Sequence, residues 1–382
     1  MITRCKKCLI PITRPDTFFA DGICSACITH ERQSLVDWGE RSQDLDRLLE
    51  SRKRPGAEFD CIVASSGGKD SACQVLDIMA RGARPLVVTA STCYLTPLGR
   101  YNIDVLKRYA TTIEVSPNSR VRAYLNRAGM SLVGDVSWPE HVAIFTTPMR
   151  VAVAFGIPLV FYGENPQCQY GGPKFSEDSR QMTQRWVSEF GGLLGLRHTD
   201  FIGQKAESVT ITENDMRDYA FPDLDAISSV GVEAHFLGQY IGPWDSHRNA
   251  EIAKYAGMQQ VLPSPANWWP FENLDNAMTG LHDHAMYRKY GYGRACAQVS
   301  VDIRNGLLTR EQGFDIVCKR DGILPDEYAG VSLEAVLQRI GMTRVDLCNN
   351  LDRFTNHGLF SVYKMEHPGM PLRPIANDFT GC

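Results

Sequence analysis

The stretch Phe59-Asp60-Cys61-Ile62-Val63-Ala64-Ser65-Ser66-Gly67-Gly68-Lys69-Asp70-Ser71 decides how the rest of the chain is read. Its first half is a short β-rich run. Past Ser71, Ala72, Val75, Leu76 and Met79 fall at i, i+3, i+4 and i+7, the buried stripe of a helix. Between strand and helix, Gly67 and Gly68 let the backbone turn tightly and approach an anion with no Cβ in the way. The helix opening near Ser71 points its unpaired N–H groups and positive dipole end at the same spot. Ser65, Ser66, Gly67, Gly68, Lys69, Asp70 and Ser71 therefore form a candidate phosphate cradle, with hydroxyl donors from Ser66 and Ser71. Asp70 beside phosphates calls for a bridging divalent cation, Mg²⁺. The bland alternative is an ordinary strand-to-helix turn, but Ser-Gly-Gly-x-Asp-Ser is much more specific than a lone glycine pair.

Working outward, β-rich runs at residues 59–64, 86–90, 112–115 and 159–162 alternate with helical patterns, including residues 98–109 and 140–155. That βα rhythm predicts an α/β fold with a doubly wound parallel sheet, whose ligand sits at the carboxyl ends of the strands. Gly163-Glu164-Asn165 ends the fourth run, which puts it at that edge. Upstream, Leu35, Trp38, Leu45, Leu48 and Leu49 keep helical spacing until Pro55-Gly56 breaks it, so a connecting helix is expected. Residues 175–229 show no clear period. From Trp244 onward the pattern reads mostly helical, closing in a Pro-containing tail from about His367. The expected organisation is a cysteine segment (1–30), a connecting helix (31–56), the phosphate-loop domain (57–235) and a mostly helical C-terminal region (236–382), the expected sugar-substrate part.

With 40 basic and 44 acidic side chains and a net charge of −4, the chain has no global electrostatic footprint for nucleic acid. The longest apolar stretch, Met149 to Tyr162, is broken by Gly156 and Pro158 and is too short for a membrane span. Met1 leads directly into a cysteine pair with no apolar leader, so a cytoplasmic protein is expected. Its twelve cysteines are then thiols or metal ligands rather than a disulfide framework.

Cys5-x-x-Cys8 and Cys24-x-x-Cys27 have the spacing of two knuckles closing on one tetrahedral Zn²⁺. Four thiolates leave no open position, so the ion is expected to be structural. A redox pair or iron–sulfur cluster is the competing reading. Gly22-Ile23-Cys24-Ser25-Ala26 faintly suggests a glutaminase nucleophile elbow, but the pairing with Cys27 argues for ligation. His282 and His284, at i and i+2 on a helix, project to different sides and are not expected to share an ion. Cys168 is more simply a small buried thiol than a site residue. Cys318 and Cys348 show no ligand spacing.

The loop differs from the Gly-x-x-x-x-Gly-Lys-Ser/Thr pattern and resembles the PP-loop of the ATP pyrophosphatase superfamily. The resemblance implies ATP cleaved to AMP and pyrophosphate as a substrate oxygen is adenylated. Cys5/Cys8, Thr13-Arg14-Pro15, Gly22-Ile23-Cys24-x-x-Cys27 and the loop together resemble the N-acetyl sugar amidotransferase family of bacterial surface-polysaccharide (LPS O-antigen) biosynthesis. So do residues 157–165, Gly171-Gly172, residues 240–245, residues 289–295 and Ile303-Arg304-Asn305-Gly306. This family implies conversion of an acetamido group on a sugar to an acetamidino group, with ATP and ammonia. No glutaminase triad is present apart from the decoy at Cys24. The resemblance therefore implies a partner similar to the glutaminase subunit of imidazole glycerol phosphate synthase, with a cyclase-like companion.

On this reading Asp70, Glu164 and Asn165 are the candidate catalytic residues, Glu164 as a Mg²⁺ partner or ammonia-orienting base and Asn165 as a polar contact. Gly163 joins residues 65–71 in holding the nucleotide. Tyr170, Lys289, Arg294 and Arg304 are candidate contacts to the sugar, the cations as a clamp on carboxylate or phosphate; solvated surface charge is the alternative. Two rivals predict different features. A PP-loop tRNA thiolase usually needs a second cysteine pair and a basic surface, and no Cys-x-x-Cys follows Cys27. A non-catalytic adaptor built on the zinc segment would not need Asp70 and both loop glycines intact.

Overall fold

The computed structural model describes residues 2–174, 179–206 and 208–360; the tail from His367 lies outside them. Its centre is one all-parallel sheet of β1 (Cys61–Ser65), β2 (Pro85–Ala90), β3 (Thr112–Val115), β4 (Leu159–Tyr162) and β5 (Glu233–Phe236). The strands lie in the order β3-β2-β1-β4-β5. β1 pairs with β2 from Cys61↔Pro85 to Ser65↔Thr89 and with β4 at Ile62↔Val160 and Val63↔Phe161. The order reverses between β1 and β4, and in such sheets the crevice outside that switch point is where ligands bind.

Alternation along β1 supplies both cores. Cys61 and Val63 pack with Leu45 and Leu49 of α2 (Trp38–Arg52) and with Ala72, Val75 and Ile78 of α3 (Lys69–Ala80). Ile62 faces the other side, against Met149 and Ala152 of α6 (Trp138–Phe155). These β1 side chains are fully buried, each worth about 2 kcal/mol of transfer free energy. β1 leads into α3, and α4 (Pro97–Leu106) follows β2. Two helices, α5 (Ser119–Val133) and α6, separate β3 from β4; the apolar pattern showed only the second of them.

Three regions differ from the sequence expectation. β5 was not foreseen, because Glu233-Ala234-His235-Phe236 carries two polar side chains and no β-branched residue; its pairing with β4 from Leu159↔Glu233 to Tyr162↔Phe236 makes it a strand. Within the unassigned stretch before it lie the helices Gln184–Phe190 and Leu224–Val230 and a short Lys205–Ala206/Val209–Thr210 hairpin. The C-terminal region is mostly helical except at residues 257–278, which run as irregular chain between the helices Ser246–Tyr255 and Thr279–Tyr290. Pro263, Pro265 and Pro270 explain the interruption, since each removes a backbone donor and fixes its φ.

The cysteine segment's own core is small, its four thiols with Ile10 and Ala26, and it leans on the C-terminal helices. Leu9 packs among Tyr292, Cys296, Val299 and Val317. Its N–H donates to Ser300 Oγ at 3.2 Å, and Arg310 Nε donates to the Cys8 carbonyl at 3.2 Å. No described helix is long and apolar enough to cross a membrane.

Candidate active site

The phosphate loop is shaped by backbone rather than by side-chain caps. Gly67 has φ +81°, and a Cβ there would meet Ile103 Cγ1 at 2.4 Å and its backbone N at 3.2 Å, so only glycine lets α4 close on the loop. Gly67 N–H donates to Ser65 Oγ at 3.0 Å. Gly68 is the N-cap of α3 and offers no side chain to it, which leaves the helix's first N–H groups for an anion. Lys69 is buried; its Nζ donates to Asp70 Oδ2 at 2.7 Å and lies 5.9 Å from the centre of the Phe271 ring. Burial opposes the Lys69 charge, but Asp70, Glu272 and Glu164 outweigh it and hold the ammonium protonated. Asn249 Nδ2 donates to the other Asp70 oxygen at 2.8 Å.

Across the switch point, Gly163 brings the next loop close: a Cβ there would lie 3.3 Å from Gln74 Nε2 and 3.6 Å from Asp70 Cβ. Glu164 follows. Burial, then repulsion from Asp70, pushes its carboxyl up to about 7, despite the opposing pull of Lys69. Asn165 does not face the phosphate loop. Its Oδ1 accepts from Gln167 N–H at 3.0 Å, capping α7 (Pro166–Tyr170).

A cavity of about 330 Å³ joins these parts. Ser65, Ser66, Gly68, Lys69, Asp70, Ser71, Gly163 and Glu164 line one side of it. An apolar stretch follows, with Val88 and Ala90 of β2 and Ile144, Phe145 and Pro148 of α6. The C-terminal region supplies a polar far side of Glu272, Asp275, Asn276, His282 and Arg294, of which Glu272 comes close enough to Lys69 for their charges to act on each other.

Residues 271–276 were not foreseen, since nothing in their local pattern marks a site. The only available signal was the proline-broken, aromatic-rich run Trp268-Trp269-Pro270-Phe271-Glu272. Its placement is tertiary. Thr96 N–H donates to the Asp275 carbonyl at 2.9 Å, and a Cβ on Gly99 would meet Asp275 Cα at 2.5 Å. Trp268 Nε1 and Trp269 Nε1 both donate to Asp302, at 2.7 and 3.1 Å. Glu272 accepts from Gln298 Nε2 at 2.7 Å and from the Tyr170 hydroxyl at 3.0 Å. Burial works against its charge, but Lys69 and Arg294 keep it ionised. Asp275 is pushed up to about 6 by burial.

The four residues expected to touch the sugar separate. Arg294 lines the cavity, held by the Asp283 carboxylate at 2.7 Å. Tyr170 reaches it only through Glu272. Lys289 does not line it; its Nζ donates to the Val133 carbonyl at 3.2 Å, and burial lowers its pKa. Arg304 lies behind the Glu164 loop, where its Nη2 donates to the Gln169 carbonyl at 2.7 Å. Burial opposes the Arg304 charge, and the neighbouring Cys8, Cys27 and Cys24 outweigh that cost. The three cations therefore form no common clamp. Position on the chain said nothing about which of them would share a cavity.

His282 and His284 diverge as their spacing requires. His284 is buried, and that burial pushes its pKa down to about 3. His282 Nδ1 instead meets Asp135 Oδ1 at 2.7 Å on the cavity wall, with His141 beside them. Asp135, His141 and His282 bring possible ligand atoms within 4.8 Å of one another. At 2.7 Å, however, the Asp135–His282 contact is a direct hydrogen bond.

Cys5, Cys8, Cys24 and Cys27 converge, all buried. The sulfurs of Cys5 and Cys27 are 3.8 Å apart, and those of Cys8 and Cys24 3.6 Å. Zn–S bonds of about 2.3 Å in a tetrahedron require sulfurs roughly 3.8 Å apart, so the four thiols fit a structural Zn²⁺. This is the only all-cysteine cluster among the described residues.

Residues 252–370 match the family model described as LPS biosynthesis protein WbpG-like, C-terminal domain. The chain's C-terminal third is thus similar to a polysaccharide-biosynthesis protein. Part of that match, beyond residue 360, lies outside the described residues. No curated protein matches the chain. Among solved structures, NMN synthetase from Francisella tularensis matches at 14% identity over 58% of this chain and 93% of its own, with a TM-score of 0.27. At that score the likeness carries no argument, and the fold rests on the strand order itself.

Proposed function

We propose that the protein is an ATP-dependent amidotransferase of bacterial surface-polysaccharide biosynthesis, converting an acetamido group on a sugar precursor to an acetamidino group. The observation that carries this reading is the single cavity lined by the phosphate loop, the Glu164 carboxyl and the polar far side. The match of residues 252–370 to a lipopolysaccharide-biosynthesis domain favours a sugar as the acceptor.

In this reading the loop N–H groups, Ser66 and Lys69 hold the terminal phosphates of ATP, and the apolar stretch between Val88 and Pro148 takes the base. Asp70 is the residue that fits Mg²⁺, which would neutralise phosphate charge when bound. The acceptor's amide oxygen attacks the α-phosphorus, pyrophosphate leaves, and an O-adenylated imidate forms. Ammonia then adds to the imidate carbon. Glu164, with a carboxyl near neutrality, takes the proton released by the attacking nitrogen, and the C–O bond breaks with its electron pair leaving on AMP. Glu272, Asp275 and Arg294 orient the sugar; the protein's contribution is positioning and charge stabilisation. The ammonia comes from a partner glutaminase, similar to that of imidazole glycerol phosphate synthase, with a cyclase-like companion.

The test is incubation with ATP, Mg²⁺, ammonium and a panel of free, UDP-linked and CMP-linked acetamido sugars, with AMP measured. AMP release that needs both sugar and ammonium, with a product one mass unit lighter than the sugar, is expected. Release that depends instead on tRNA and a sulfur donor overturns the reading.

A further inference from the structure

A second, smaller cavity lies behind Glu164, and Glu164 is the one residue that lines both. Its volume is about 40 Å³, room for roughly one water-sized guest. One wall is α1 (Ser25–Gln33) of the cysteine segment, through His30 and Gln33; the others carry Cys168, Trp244 and Arg304. Gln33 Nε2 donates to Cys168 Sγ at 3.2 Å, tying α1 to α7 across the space. His30, Gln33, Cys168 and Arg304 are all half-buried.

Its chemistry is selective. Trp244 Nε1 and Arg304 Nη1 are buried N–H donors with no hydrogen-bond partner, and a buried donor left in that state costs about 1–3 kcal/mol. A guest that relieves the cost must be small and must accept a hydrogen bond. The Arg304 guanidinium in the same wall adds a third condition, because it repels a cation. Among the reactants of the amidotransferase reading, ammonia alone meets all three conditions. Ammonium has no lone pair and carries the wrong charge.

We propose that this cavity is the ammonia-entry site, through which neutral ammonia passes beside α1 to Glu164 while ATP and the sugar occupy the larger cavity on the other side. The inference rests on the amidotransferase reading and adds a role for the zinc segment. With α1 carrying Cys27 and forming the wall, a Zn²⁺ bound by the four cysteines would hold one side of the passage in place. Separate routes also follow from chemistry, since a nucleotide and a sugar filling the front cavity would block a small nucleophile entering behind them.

The test is steady-state AMP release by the full-length zinc-loaded protein, with ammonium chloride as the nitrogen source. Cys168→Phe fills the cavity and is expected to raise KM for ammonium at least tenfold, with KM for ATP and for the sugar at their wild-type values. Trp244→Phe keeps the ring and removes one donor, and a several-fold rise in the same constant is expected. If Cys168→Phe does not fold, as judged by zinc content and melting, the Trp244→Phe result decides. Folded variants with wild-type KM for ammonium overturn the entry site and leave the amidotransferase reading standing, the cavity then holding water only. Wild-type protein that shows no ammonium-dependent AMP release overturns both.

Discussion

The two sides of the large cavity are built in opposite ways. The phosphate side is seven consecutive residues, 65–71, at one strand–helix junction, where each residue's role follows from its position in the turn. The far side is assembled from Glu272 and Asp275 on irregular chain, His282 on one helix and Arg294 on the next. Each is held by a partner elsewhere in the chain: Gln298 for Glu272, the Thr96 N–H for the Asp275 carbonyl, Asp135 for His282, Asp283 for Arg294. The chemistry of the first side therefore survives in local sequence. That of the second exists only once the chain is folded, so substitutions on the two sides should fail differently.

Gly67→Ala is the strongest way to break the comparison. The added methyl group lands 2.4 Å from Ile103 Cγ1, in a backbone region that alanine rarely adopts. The expected outcome is AMP release reduced by about 10³-fold or more, within the range that misplaced phosphate contacts produce, with the protein still folded by circular dichroism. A variant retaining a tenth of the activity would show that the loop backbone does not hold phosphate.

Glu164→Gln comes next, because this carboxyl sits where the two sides meet. Loss of a general base costs on the order of 10²–10³-fold in kcat/KM. In the wild type the acidic limb of the profile is expected near pH 7, since only the ionised form accepts a proton; in the variant that limb is absent. Stability moves the other way. The folded carboxyl holds its proton more tightly than the unfolded one, so its contribution is fully present below pH about 4.5 and is lost as pH rises through about 7. Above pH 7 the glutamine variant should therefore be the more stable protein, by about 3 kcal/mol, readable in urea melts at pH 8 and absent at pH 4.

Local and tertiary encoding also explain what could be read before folding. The parallel sheet was legible because three of its strands are short apolar runs between helical stripes and the β-branched Thr112, Ile113 and Val115 mark a fourth. β5 was not, because Glu233 and His235 hide its pattern and only pairing with β4 defines it. The four cysteines were legible because ligand spacing is a property of sequence. Lys289, Arg294 and Arg304 look equivalent as sequence, each a cation in the distal region, and burial, carbonyl contacts and cavity walls alone tell them apart.

Glu272→Gln probes the far side with a smaller expected effect. Glutamine keeps the shape but offers one acceptor oxygen where the carboxylate satisfies both Tyr170 and Gln298. One buried donor is left unmet, at about 1–3 kcal/mol of stability in denaturant melts. The lost charge beside Arg294 and Lys69 should raise KM for the sugar roughly tenfold. An equal effect on KM for ATP and for the sugar would merge the two sides into one.

Lys289→Ala carries the smallest expected change and sharpens the comparison most cheaply. Sequence alone groups Lys289 with Arg294 as a clamp, whereas in the folded chain its ammonium turns to the Val133 carbonyl and the Tyr290 ring, 5.4 Å from the ring centre. Removing it deletes one hydrogen bond and some packing, about 1 kcal/mol of stability. KM for the sugar should stay within about twofold of wild type, because no cavity wall is altered. Arg294→Ala, by contrast, leaves Asp283 buried without its partner and costs several kcal/mol, on the order of 3–5. If Lys289→Ala instead raised KM for the sugar tenfold, the acceptor would extend past the cavity wall toward Val133, and the far side would have to include a residue that the folded chain turns away from it.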